Sequence, residues 1–243
     1  MPDKFLKILL ISCLLFSVQT AKAQFGLSAT YFFSKQGDFS NPITPFSFRG
    51  WGQQWGLVGI ETGVTLFRMG GMNIKNSALE SSNSLVNPFF SLMVPVELTF
   101  SIPTPLGVFQ LRGGGFGYGN FDLSTHEGNF DRAFKSTYDW KLANATIEND
   151  NGLGYGYRAG LGYMVDINSQ LSLTMEASYL SGQSQYAWRG TVVGMDQSDQ
   201  LQEEAFSEPD AQLDFTGYEI SVGVIINTGK KGRSKGGKKR RRR

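Results

Sequence analysis

The sequence predicts an all-β protein, an eight-stranded antiparallel up-and-down transmembrane β-barrel with short periplasmic turns and longer extracellular loops. Three observations carry that expectation. Apolar and polar side chains alternate with a two-residue period in run after run from residue 24 onward. Several runs reach the roughly 9–11 residues that a tilted strand needs to cross a bilayer core. The connections between runs are short and long in turn, which is the loop asymmetry of outer-membrane barrels.

The chain opens with residues 1–23, MPDKFLKILLISCLLFSVQTAKA. Lys4 and Lys7 precede an apolar run from Ile8 to Val18, and Ala21-Lys22-Ala23 closes the segment. Charged start, short apolar stretch and small-x-small site form a secretory signal peptide, with cleavage expected after Ala23. A lipoprotein signal at Cys13 is the rival reading, disfavoured because the apolar run continues past that cysteine. Cys13 is the sole cysteine, so the mature chain has no disulfide, although export implies an oxidising compartment.

Eight alternating runs follow, at roughly 24–35, 43–52, 55–70, 87–102, 107–121, 153–167, 171–189 and 215–228. In Phe90-Ser91-Leu92-Met93-Val94-Pro95-Val96-Glu97-Leu98-Thr99-Phe100 every even position is apolar, while Ser91, Glu97 and Thr99 occupy odd ones. Tyr218, Ile220, Val222, Val224 and Ile226 likewise share one face. Turns are expected at 52–54, 102–106 and 168–170, and loops at 36–42, 71–86, 122–152 and 190–214. An even strand count returns both termini to the periplasmic side. Pro95 removes a ladder donor within its run, which a bulge or a different strand assignment would accommodate. Tyr31, Phe33, Phe46, Phe48, Trp51, Trp55, Phe89, Phe90, Phe100, Tyr163 and Tyr186 fall near run ends, where interfacial girdles sit. The competing architecture is a secreted β-sandwich or lipocalin-like barrel, with shorter strands and loops less graded by side.

A barrel of this size has an interior that side chains fill. Following the alternation inward brings Arg49, Glu61, Glu97, Arg112, Arg158, Glu176 and Glu219 into the lumen. Charges buried there must be paired, so a closed ion-pair network that plugs the barrel is expected rather than a proton or ion path.

Enzymatic chemistry finds little support. Lipid-modifying barrels use a histidine with a serine or carboxylate partner. The only histidine, His126, lies in Ser124-Thr125-His126-Glu127 of a long loop and reads as a solvated residue. No catalytic residue, metal site or cofactor is expected. Loop 190–214 carries Asp196, Asp199, Glu203, Glu204, Glu208, Asp210 and Asp214 without a single basic residue. That composition is open to a hard cation, but the spacing matches no EF-hand.

The signal ending at Ala23-Gln24, the eight-strand meander, the Val94-Pro95-Val96-Glu97-Leu98 strand and the Leu111-Arg112-Gly113-Gly114-Gly115-Phe116-Gly117-Tyr118 strand resemble the small outer-membrane barrels of Bacteroidota, the PorT-like barrel family. The resemblance covers roughly residues 24–229. It implies an envelope barrel, and the family includes a component needed for type IX secretion; no catalytic motif comes with it.

Charge divides the chain sharply. Residues 24–229 hold ten basic and twenty acidic side chains, whereas residues 230–243 hold ten basic ones and no acid. These are Lys230, Lys231, Arg233, Lys235, Lys238, Lys239, Arg240, Arg241, Arg242 and Arg243. Such a run commonly marks a nucleic-acid arm. Export and an even strand count put it in the periplasm, where phospholipid head groups, peptidoglycan carboxylates and acidic proteins are the available anions. The expectation is a non-enzymatic barrel in the outer membrane of a Gram-negative bacterium. It would act as an anchoring subunit of an envelope or secretion-associated complex, contact lipid, and hold an anionic periplasmic partner through its tail, with no nucleic acid. A small-solute channel and a lipid-modifying enzyme are the alternatives.

Overall fold

The structure, a computed structural model, describes residues 24–35 and 43–227. The expected signal peptide, loop 36–42 and the basic tail Lys230–Arg243 lie outside the described residues, as do the side chains of Phe46 and Trp51.

The strands are β1 (Gln24–Ser34), β2 (Ile43–Trp55), β3 (Val58–Met69), β4 (Ile74–Lys75), β5 (Phe89–Thr104), β6 (Gly107–Phe121), β7 (Leu142–Asp166), β8 (Leu171–Met195), β9 (Leu201–Glu208), β10 (Gln212–Asp214) and β11 (Gly217–Asn227). One helix, α1 (Glu127–Tyr138), interrupts them. The long strands pair antiparallel in the order β1-β2-β3-β5-β6-β7-β8-β11. The ring closes where β11 pairs with β1, from Gln24↔Asn227 to Ser34↔Gly217. β4, β9 and β10 are short additions at the loop end.

The outer surface identifies the solvent around this ring. Val94, Val96 and Leu98 of β5 point outward, the last two 57% and 61% exposed. Leu161, Met175, Ile220 and Val222 do the same on β7, β8 and β11. The inner positions between them are polar: Thr99, Ser101, Ser172, Thr174 and Ser178 are all buried. Apolar outside and polar inside is stable only in lipid, because in water the outward side chains would stay hydrated. Closing the ring leaves no unpaired strand edge in the bilayer. The protein is therefore a membrane-spanning β-barrel. Phe33, Phe90 and Tyr218 face out toward the loop end, and Trp55 and Phe100 toward the turn end.

Beyond the bilayer the pattern reverses. On β8, Tyr186, Trp188 and Val192 are buried, while Gln183, Gln185, Arg189 and Thr191 face outward. The upper halves of β7 and β8, with β9, form a three-stranded sheet outside the membrane. Helix α1 covers its inner face. Phe130 lies 5.1 Å from Trp188, and Phe134 lies 4.7 Å from Phe206, ring centre to ring centre. Asp131 accepts the Ala145 backbone N–H at 2.8 Å, fixing the helix to β7.

Several expectations need correction. Segment 122–152 is not one loop: it contains α1 and the first part of β7, which starts at Leu142 rather than residue 153. Segment 190–214 is likewise built, by the end of β8, by β9 and by β10. The first turn falls at Gly56-Leu57, so Gly52, Gln53 and Gln54 belong to β2. Phe89 and Tyr186 face inward and join the core instead of the girdle, because both sit where the interior is apolar.

Pro95 is accommodated without a bulge. β3 and β5 keep one register on both sides of it, from Thr62↔Val96 to Thr65↔Met93. Thr62 donates its hydroxyl to the Pro95 carbonyl at 2.6 Å, which satisfies the acceptor beside the missing N–H. A register shift lies on the other side of β3, between it and β2 at Arg49/Trp51, where Gly50 takes φ 95°. A bulge with glycine in the left-handed region re-aims the adjoining side chain, here that of Arg49.

Candidate functional site

The lumen is layered. At the turn end it is lined by short polar side chains, with Ser101 and Gln110 hydrogen-bonded at 3.3 Å. Next comes the charged layer, and above it an aromatic one.

The charged layer unites all seven residues read from the sequence, each from a different strand. Arg49 on β2 pairs with Glu176 on β8 and Glu219 on β11. Arg112 on β6 reaches Glu61 on β3 at 3.1 Å and Glu176 at 3.2 Å. Arg158 on β7 reaches Glu97 on β5 at 3.3 Å and Glu219 at 2.8 Å, with Glu176 at 3.6 Å. Arg158 and Glu219 are each 1% exposed. Neutral donors and acceptors complete the layer. Arg49 Nε donates to Ser47, which itself bonds Thr65; Arg112 donates to Gln110; Arg158 donates to Ser178.

This layer forms because burial makes pairing obligatory and because β-alternation delivers the partners. Each charged residue sits at an inward position of its strand, so closure of the ring brings them to one height. Arginine suits the centre, since its planar fork serves two carboxylates at once. Space comes from glycine opposite the charges. A Cβ on Gly114 would stand 2.0 Å from the Val96 carbonyl oxygen and 2.7 Å from Glu97 Cα. Glu97 Oε1 and Glu219 Oε2 have no hydrogen-bond partner among the described residues, and the layer holds four carboxylates against three guanidinium groups.

The aromatic layer has no counterpart among the sequence expectations. Phe215 stacks on Phe32 at 4.9 Å and meets Tyr118 at 4.7 Å, with Phe67 packed at their side. Phe116, Leu180 and Met93 complete this seal, all buried. A signal for it is present in the sequence: inward positions on β6 change from Gln110 and Arg112 to Phe116 and Tyr118 along one strand.

The remaining sequence candidates lie apart from the lumen. His126 is exposed at the start of α1, where its carbonyl accepts the N–H groups of Asn129 and Phe130. The acidic residues of 190–214 are dispersed, and several have local partners. Asp199 pairs with Lys141 at 2.5 Å, Asp214 with Lys75 at 3.3 Å, and Glu208 accepts from Ala78 N–H. Among the described residues no group of three or more His, Cys, Asp or Glu side chains could hold a metal ion.

Fold and lumen together define a class, the membrane β-barrel with a charged and an aromatic layer across its interior. No protein-family model matches the chain, and no curated protein does. Among solved structures it is similar to the outer membrane protein OprG of Pseudomonas aeruginosa, at 12% identity and a TM-score of 0.46, covering 84% of this chain and 93% of that one. A major outer membrane protein of Thermus thermophilus is similar at 14% identity and a TM-score of 0.32, over 84% and 98% of the two chains. An outer membrane channel of Pseudomonas putida follows at 9% identity and a TM-score of 0.24, over 86% and 97%.

Proposed function

We propose that this barrel is a non-enzymatic outer-membrane anchor, serving as a structural subunit of an envelope or secretion-associated complex. The observation that carries the reading is the double seal of the lumen. A charged layer tied to seven strands lies beneath a layer of packed aromatic rings, so two successive layers of buried side chains cross the lumen. Such an interior favours a rigid support over a channel.

In this reading the turn end faces the periplasm and the sheet capped by α1 faces outward. Gln24 and Asn227 pair at the turn end, which supports a periplasmic exit for Lys230–Arg243. Basic residues beside an anionic membrane surface contribute about 1 kcal/mol each, and an acidic protein or peptidoglycan offers the same chemistry. The likeness of the β5 and β6 sequences to PorT-like barrels agrees with an envelope role.

The test is affinity purification from native outer membranes, comparing full-length protein with a chain ending at Gly229. The anchor reading expects an envelope protein or peptidoglycan fragment that is retained only by the full-length chain. Identical partners for both would remove the tail from the proposal. Stable single-channel openings of the wild-type protein in planar bilayers would replace the anchor with a channel.

A further inference from the structure

We propose that the outer wall of the barrel carries a binding site for a phosphorylated acyl glycolipid of the outer leaflet. The site is a shallow groove of about 690 Å³ crossing β6, β7, β8 and β11. Its shape follows from residue size at outward positions. Leu161↔Ala177 and Ala159↔Tyr179 are paired across β7 and β8, and Ala177↔Ile220 and Tyr179↔Tyr218 across β8 and β11. Ala159 and Ala177 therefore leave a depression bordered by Leu161 and Ile220 on the turn side and by Tyr179 and Tyr218 on the loop side. Lining of this kind accepts an acyl chain, which gains by filling a gap that the bulk lipid packs poorly.

The head-group end is marked by a cation. Lys35 Nζ lies 5.1 Å from the Tyr179 ring centre and 5.7 Å from that of Tyr218, directly beside the loop-side rim. The two rings are 5.4 Å apart. Lys35 makes no salt bridge among the described residues, unlike Lys75 and Lys141 at the same end of the barrel. The Lys35 N–H is bonded to the Thr216 carbonyl at 2.9 Å, so the backbone beneath the cation is held in the β1–β11 seam. An ammonium group at the interface with two phenols below it presents donors to a phosphate, directly above a slot for the attached chain. A lipid without a phosphate satisfies the slot but not the ammonium group.

The choice of an outer-leaflet lipid rests on the orientation proposed above, but binding itself does not. It is therefore measured on purified full-length protein in detergent, by native mass spectrometry with bis-phosphorylated lipid A and with its dephosphorylated form. Wild-type protein should prefer the phosphorylated form about five-fold more strongly than Lys35→Gln does, the equivalent of one interfacial lysine. Lys141→Gln should keep the wild-type preference. Ala177→Leu fills the groove from an outward position and should weaken both lipids about ten-fold, as if two acyl methylenes were kept out. The basic tail is present in every sample and adds the same preference to each, so the ratio between wild type and Lys35→Gln reports the groove site alone. Equal retention of both lipid forms by the wild type, or a preference unchanged in Lys35→Gln, would overturn the head-group assignment. Unchanged retention in Ala177→Leu would overturn the groove.

Discussion

Arg158 Nη1 lies 3.3 Å from Glu97 Oε2 across the lumen, joining β7 to β5, which are not neighbours in the ring. The contact spans β6, so it braces the barrel independently of backbone pairing. Arg158→Met would leave Glu97 and Glu219 buried beside one fewer cation. Removing one partner of a buried pair costs about 3–5 kcal/mol. Glu97→Gln should cost less, about 1 kcal/mol, because the layer starts with one carboxylate in excess. Urea unfolding in lipid vesicles, read by heat-modifiable gel mobility, measures both. Equal losses would mean that the charge excess has no energetic weight.

Gly114 and Gly113 are adjacent, yet only Gly114 should resist alanine. A Cβ on Gly114 meets the Val96 carbonyl oxygen at 2.0 Å, backbone that cannot move without parting β5 from β6. A Cβ on Gly113 meets nothing nearer than the Arg158 carbonyl at 3.9 Å. Gly114→Ala should therefore destabilise by about 1–3 kcal/mol through overpacking. Gly113→Ala should leave the midpoint within about 0.5 kcal/mol of wild type.

Phe215 is the centre of the aromatic layer, within 5.8 Å of Phe32, Phe67 and Tyr118. Phe215→Ala should cost about 3–5 kcal/mol for a large buried side chain. It should not open a conductance, because the three arginines still cross the lumen beneath it. A planar-bilayer recording with ion-sized openings in this variant would show that the aromatic layer alone is the seal.

Asp196 supplies a pH-dependent element at the tip of the β8–β9 hairpin. Its carboxylate accepts the Gln200 N–H at 2.9 Å, the Gln202 side chain at 3.0 Å and the Ser198 N–H at 2.8 Å. These bonds, the Gln200 N–H foremost, hold its pKa below the ordinary value of 3.8. A depressed folded pKa stabilises the turn above the unfolded value and releases it as pH falls through the folded one. Amide exchange at Ser198 and Gln200 should thus be slow at neutral pH and speed up relative to intrinsic rates below about pH 4. Asp196→Asn should remove most of that pH dependence.

The strands of the transmembrane ring are legible in the sequence because lipid outside and charge inside keep the two-residue alternation strong. The charged layer is legible for the same reason: Arg49, Glu61, Glu97, Arg112, Arg158, Glu176 and Glu219 all hold inward phase. The early part of β7 is hidden by a change of phase. Ala143, Ala145 and Ile147 face inward at odd positions, whereas Gly154 and Arg158 face inward at even ones. A register shift between Asn151 and Gly154 makes the switch, so one continuous strand reads as a loop followed by a strand. The helix is hidden by brevity. Its inward face is Asn129, Phe130, Ala133 and Phe134, a single stripe within a polar segment.

Phe134 tests whether that helix is a separate unit resting on the barrel. Its ring contacts Trp188 at 6.3 Å, Phe206 at 4.7 Å and Phe130 at 6.4 Å, all outside the transmembrane ring. The helix also ends against the sheet, with Asp139 in the left-handed region and the Trp140 N–H bonded to the Lys135 carbonyl. Phe134→Ala should remove about 3 kcal/mol of local packing. The helix offers trypsin two cleavage sites, Arg132 and Lys135. If α1 opens locally, the variant should be cut there at least ~10-fold faster while the barrel keeps its heat-modifiable mobility. If the cap and ring unfold as one, mobility and cleavage will change together at the same denaturant concentration.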